Sequence, residues 1–212
     1  MFRQRLRISF TKEGPLRFIS HHDLMRLFER ALRRTGLPLR YSEGFNPRPQ
    51  LSFPAALALG IQSQDELFEV ELTRWVSPDG AREKVEREVP EGIGIRCVKS
   101  VGYGEKAEVV GTRFSIRMRQ APEDLDARLA LFMNAEEAFV ERKRKSGVKR
   151  INVREFVRCA KIERDSLVFD LTTSPAGSAR PEEVIQAVLG DCFEACNPLG
   201  ITRIRLDLAP PR

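Results

Sequence analysis

Apolar and polar positions follow two periods along the chain, and the switches between them mark the predicted elements. Arg5-Leu6-Arg7-Ile8-Ser9-Phe10 alternates as a half-buried strand does, and Thr11-Lys12-Glu13-Gly14-Pro15 breaks the alternation. The period then becomes helical. Leu24, Leu27, Phe28, Ala31 and Leu32 recur at i, i+3, i+4, i+7 and i+8 behind a Ser20 N-cap, with acidic Asp23 in the first turn. Gly36 stops this helix and Pro38 lies beyond it. Residues 38–60 are rich in Pro and Gly. Leu67-Phe68-Glu69-Val70-Glu71-Leu72 reads as a further strand, residues 81–88 as a charged helix, and residues 92–101 as the closing strand. The resulting order is the ferredoxin-like β-α-β-β-α-β pattern, an antiparallel sheet with two helices on one face.

Gly102-Tyr103-Gly104-Glu105-Lys106 reads as a linker, after which the pattern restarts. Arg113–Arg119 alternates as a strand, and Pro122-Glu123-Asp124 opens a helix through about Asn134. Residues 139–145 and 148–153 flank a Ser146-Gly147 turn, and residues 161–171 read as a hairpin. A helix over 181–189, with Pro at its first turn, and a strand over 201–208 complete the unit. The expected fold class is therefore α+β, two tandem ferredoxin-like units with antiparallel sheets, occupying residues 1–103 and 112–212. The repeat is one of pattern, since the halves share no residue-level similarity.

Composition narrows the class without changing this picture. Hydrophobic residues at 42% and charged residues at 31% belong to a globular chain of 212 residues. No run approaches the ~18 apolar residues of a membrane span, and the N-terminus lacks an apolar signal core, so a cytoplasmic protein without membrane contact is expected. Four cysteines are too few for a disulfide scaffold and fit a reducing compartment. Charge changes the picture more. The net +6 divides into +7 over residues 1–60, −4 over 61–111, +5 over 112–160 and −2 over 161–212. Segregated basic blocks build a field that attracts polyanions.

Each basic block carries candidate chemistry. His21 and His22, the two histidines of the chain, open the first helix, where backbone N–H groups and the dipole favour a phosphate. One of them also suits general acid–base work in RNA cleavage, and His21 is the candidate; the plainer reading is capping or packing. Arg26, Arg30, Arg33 and Arg34 occupy the polar side of that helix, with Arg17 before it and Arg40 and Arg48 after it. Tyr41 and Phe45 are interleaved with the last two. Guanidinium groups beside aromatic rings suit single-stranded or looped RNA, against the plainer reading of a solvated face. Lys143, Arg144, Lys145, Lys149 and Arg150 crowd a predicted hairpin tip that would add phosphate contacts, unless it is simply a mobile surface hairpin. Gly177, Ser178 and Arg180 precede a helix N-terminus and form a candidate anion site, or an ordinary cap.

Other chemistries lack their residues. Cys97, Cys159, Cys192 and Cys196 make no paired CxxC knuckle, and no iron–sulfur motif, Walker A loop, H-E-x-x-H or nucleophilic triad is present. No metal site and no cofactor are therefore expected, and no self-contained catalytic set is visible.

The run Lys12–Arg34, read KEGPLRFISHHDLMRLFERALRR, resembles the opening of the bacterial radical SAM-linked protein family, built on a domain of unknown function. The resemblance continues through Gly36-Leu37-Pro38-Leu39, Tyr41–Pro49 and Leu51-Ser52-Phe53 to Leu59-Gly60, and covers about the first 75 residues specifically. It implies a radical SAM enzyme as partner or fused neighbour, in a setting of RNA processing. In relatives the position of His22 is expected to be apolar, which singles out His21. The combined expectation is an RNA-binding accessory protein that presents tRNA or rRNA to a radical SAM enzyme for modification or processing. Two alternatives stand beside it: a metal-independent endoribonuclease using His21, and a protein-docking module whose surface is the Tyr41–Pro54 loop.

Overall fold

The N-terminal alternation becomes a strand paired on both sides, with Leu6, Ile8 and Phe10 forming the apolar centre of its inward face between buried Gln4 and Lys12. In the computed structural model of the chain, β1 (Gln4–Lys12) turns Leu6, Ile8 and Phe10 into the interior with no exposed surface. Residues 3–102, 104–144, 147–173, 177–192 and 198–210 are described. β1 pairs antiparallel with β3 (Gln62–Leu72) and with β4 (Ile93–Val101), so that Ile8 faces Phe68 on one side and Val98 on the other. A two-residue strand, β2 (Leu51–Ser52), pairs antiparallel with β3.

Two helices share the apolar face of this sheet. α1 (His21–Arg34) contributes Leu24, Phe28 and Leu32 to the core, and α2 (Pro78–Glu86) contributes Ala81 and Val85. The apolar residues of α1 are those its 3.6-residue period selects. Phe10, Phe28, Phe53 and Phe68 form an aromatic centre, with ring centroids 4.7 Å apart for Phe10–Phe28, 4.5 Å for Phe28–Phe68 and 5.4 Å for Phe53–Phe68. Ser20 caps α1 as expected: its Oγ accepts from the Asp23 backbone N–H at 3.1 Å and donates to Asp23 Oδ2 at 2.7 Å. Ser20→Ala is expected to cost about 1 kcal/mol in unfolding free energy, read as a lower urea midpoint with unchanged slope.

Several element bounds differ from expectation for local reasons. β3 begins five residues earlier than residue 67, because Ser63 and Glu66 lie buried and hide the alternation. α2 starts at Pro78 and not at 81, since Ser77 accepts the Gly80 N–H at 3.2 Å and Pro at the first turn needs no donor.

The chain divides into one unit of Met1–Val109 with Leu208–Arg212 and a second of Val110–Asp207. The second unit contains β5 (Val109–Met118), α3 (Leu125–Asn134), β6 (Phe139–Arg144), β7 (Gly147–Asn152), β8 (Val157–Glu163), β9 (Ser166–Thr172), α4 (Pro181–Leu189) and β10 (Pro198–Leu208). Its sheet runs β10-β5-β9-β8, and β6 and β7 form a separate antiparallel hairpin. Phe114, Ile116, Leu167 and Phe169 of the strands are buried, as are Leu129 and Phe132 of α3 and Val184, Ile185 and Leu189 of α4. The architecture is therefore α+β with antiparallel pairing in both units, and the detached hairpin is what most distinguishes the second from the first. Among the described residues, no helix is long and apolar enough to cross a membrane.

Candidate nucleic-acid interface

α1 buries one face, and its geometry dictates what the other displays. At about 100° per residue, Arg26, Arg30, Arg33 and Glu29 fall on the side opposite Leu24, Phe28 and Leu32. Facing them is the loop after the helix, closed as a narrow excursion of the chain. Tyr41 bridges to Pro49, the Ser42 N–H donates to the Arg48 carbonyl at 2.8 Å, and the Arg48 N–H donates to Ser42 Oγ at 3.0 Å. Gly44, at φ 115°, supplies the turn that L side chains rarely adopt. Arg33 Nη2 donates to the Pro47 carbonyl at 3.4 Å and ties loop to helix. Between them lies a groove of about 450 Å3, with Arg26, Glu29, Arg30 and Arg33 on the helix wall and Asn46, Pro47 and Arg48 on the loop wall.

Four guanidinium groups thus surround one groove, and they are poorly neutralised. Among the described residues Arg30 and Arg48 have no acceptor for their guanidinium groups, and Arg26 lies 3.6 Å from an exposed Asp23. Arg5 and Arg7 of the same unit are matched by acids, Arg5 with Glu71 at 2.8 Å and Arg7 with Glu69 at 2.8 Å. Positive charge this weakly paired, four guanidinium groups against the carboxylates of Glu29 and Asp23, is what a bound anion would use.

The sequence candidates separate accordingly. The groove unites Arg26, Arg30, Arg33 and Arg48. Tyr41 borders it, with the Arg33 guanidinium 6.0 Å from its ring centroid, and Phe45 at the loop tip is fully exposed. Arg34 is not part of the set: it points a quarter-turn away and pairs with Glu88 at 2.6 Å. Arg40 is engaged by Glu71 at 2.6 Å, and Arg17 stacks over Phe18 at 4.6 Å. Glu29, Asn46 and Pro47 complete the walls. Glu29, three residues after Arg26 and four before Arg33, was legible from helical spacing as a neighbour of both.

His21 is half-buried at the first position of α1, its ring edge-on to Phe53 at 5.7 Å. Burial, then the neighbouring His22 and Lys12, lower its pKa below the ordinary 6.5, so the ring is neutral at pH 7. Its Nδ1 is buried with no partner among the described residues.

In the second unit the basic hairpin is less uniform than its sequence. Arg142 turns inward to Glu183, Arg150 stacks over Phe139 at 4.4 Å, and Lys143 and Lys149 are exposed. Arg144 pairs with Gly147 in the hairpin, and Lys145 lies outside the described residues, as does Cys196. At the start of α4 the Glu183 carboxylate accepts the Arg180 N–H at 2.8 Å, and Arg142 donates to the Ser178 carbonyl at 3.0 Å. The α4 N-terminus near Gly177, Ser178 and Arg180 thus already holds an anion of the chain's own.

Fold and groove together define an α+β protein of two units that displays an arginine-lined cleft between a helix and a stiff aromatic loop. The chain belongs to the family described as "Uncharacterized protein conserved in bacteria (DUF2344)", whose model matches residues 5–183. No curated protein matches the sequence. Among solved structures it is similar to a chain of "Crystal Structure of a Cbf5-Nop10-Gar1 Complex", at 11% identity and a TM-score of 0.44 over 95% of its own length, and it spans 48% of that chain.

Proposed function

We propose that this protein binds a single-stranded segment of RNA in the α1–loop groove and presents it to a radical SAM enzyme. The observation that carries the reading is the pair Arg30 and Arg48, which face one groove from opposite walls without acceptors of their own among the described residues. A volume of 450 Å3 falls in the range of about 300–1,000 Å3 that suits a ligand of nucleotide size, and a duplex does not enter such a cleft. Phe45 and Tyr41 supply aromatic faces at the rim for unstacked bases. The enzyme partner rests on the resemblance of residues 12–60 to the radical SAM-linked family. A tandem ferredoxin-like reading of the units rests on the β-α-β-β-α-β order of the first and on the same order in the second once the separate β6–β7 hairpin is set aside.

Fluorescence anisotropy with labelled single-stranded RNA tests the binding. Affinity is expected to fall steeply as salt rises, and Arg30→Ala or Arg48→Ala each to reduce the slope of log affinity against log salt by about 1. Absence of binding at low salt, or an affinity indifferent to salt, would refute the reading.

A further inference from the structure

We propose that Glu29 reads the Watson–Crick edge of an unpaired guanine, which makes the groove selective for guanine-containing single strands. The inference rests on the RNA reading above and adds the base to it.

A carboxylate is out of place in a site built for phosphate alone. Glu29 is half-buried on the helix wall between Arg26 and Arg33 and lowers the positive field the arginines create. Its spacing, three residues from one and four from the other, permits intrahelical ion pairs. Neither forms. Arg26 leans toward Asp23 at 3.6 Å, and Arg33 toward the Pro47 carbonyl at 3.4 Å and the Tyr41 ring at 6.0 Å. Among the described residues the Glu29 carboxylate has no hydrogen-bond or ion-pair partner, although it faces the groove.

An ionised carboxylate only accepts hydrogen bonds, so its ligand must bring donors. Phosphate brings none. Of the four bases, guanine alone presents two adjacent donors, N1–H and the N2 amino group, spaced to meet the two carboxylate oxygens side by side. The amino groups of adenine and cytosine each adjoin a ring nitrogen acceptor, and uracil N3–H lies between two carbonyls; all three would set a lone pair against the second carboxylate oxygen. The edge is free only in an unpaired base, where proteins read it beside an aromatic stack. Tyr41 at the groove border is placed to supply that stack, and the flanking phosphates fall to Arg30 and Arg48.

The full chain is titrated with labelled octamers: oligouridine, and the same strand with two central guanines, inosines, adenines or cytosines. Guanine is expected to bind about tenfold tighter than uridine, as a bidentate base contact does. Inosine, which keeps N1–H and lacks the N2 amino group, should fall between them. Glu29→Gln should abolish the guanine preference while oligouridine binding persists and the far-ultraviolet circular dichroism is unchanged. Equal affinity for all octamers, or a guanine preference retained in Glu29→Gln, overturns the proposal while leaving the RNA reading intact. No binding to any octamer at low salt overturns both.

Discussion

Phe28→Ala is expected to lower the unfolding free energy of the first unit by about 3–5 kcal/mol, a large share of the roughly 5–15 kcal/mol that holds a domain folded. Phe28 has no exposed surface, and its ring packs against Phe10, Phe53 and Phe68 at centroid distances of 4.7, 5.9 and 4.5 Å. Truncation removes the ring from three partners at once and leaves a cavity that strands on the far side cannot close. Phe28→Leu keeps most of the apolar volume and should cost about 1–2 kcal/mol. Trp75, the single tryptophan, lies in the first unit, so its fluorescence during urea unfolding reports that unit. A loss below 1 kcal/mol would mean that α1 is not anchored through this ring. The groove depends on the same anchor, because Phe28 and Arg30 sit on opposite faces of one helix. RNA affinity in Phe28→Ala should therefore fall with the folded fraction.

The division of α1 into two faces was legible because both are written in local spacing. Leu24, Phe28, Ala31 and Leu32 are the buried residues of the helix, and Ser20 caps it. Arg34 shows where local spacing stops. It counts as one more arginine of a basic helix until Glu88, distant in sequence, takes it at 2.6 Å. Arg40 and Arg142 repeat the lesson, since whether a guanidinium is available or neutralised depends on which acid the fold brings to it. The groove itself was half legible. The stiffness of Asn46-Pro47-Arg48 pointed to a binding loop, but its return over α1 is fixed by the contacts of Tyr41, Ser42 and Arg33, which no periodicity encodes. Helical spacing places Glu29 beside Arg26 and Arg33, but it does not tell whether an ion pair forms. A glutamate among arginines on a helix reads as charge balance until its carboxylate is seen to pair with none of them. The early start of β3 was hidden by Ser63 and Glu66, polar residues on buried positions that mimic a loop.

Arg142→Met is expected to be the most damaging single change in the second unit, at about 3–5 kcal/mol. Arg142 meets Glu183 in a fork, Nε to Oε1 at 2.5 Å and Nη2 to Oε2 at 2.6 Å, with the side chains 11% and 8% exposed. Removing the guanidinium leaves a buried carboxylate at the α4 N-terminus with the Arg180 N–H as its remaining hydrogen-bond donor among the described residues. Burial alone would raise the pKa of Glu183; hydrogen bonds from Arg142 and from the Arg180 backbone more than offset it and hold the carboxyl below the ordinary 4.5. A group depressed in the folded state stabilises above its unfolded pKa and loses that contribution as pH falls through the folded value. The wild-type pair is therefore intact at pH 7 and weakens below about pH 4.5. In Arg142→Met the balance reverses. Without the guanidinium, burial raises the carboxyl above its ordinary value, protonation relieves the stranded charge, and the penalty shrinks on acidification. Urea unfolding followed by circular dichroism at pH 7 and pH 5 should show the gap between wild type and variant narrowing at the lower pH. A gap of constant size would mean that Arg142 supports α4 by packing its aliphatic stem and not by charge. Arg142→Met combined with Glu183→Leu separates the two further. It removes the stranded charge, so most of the pH dependence should vanish while the loss of the α4 cap remains, at about 1 kcal/mol.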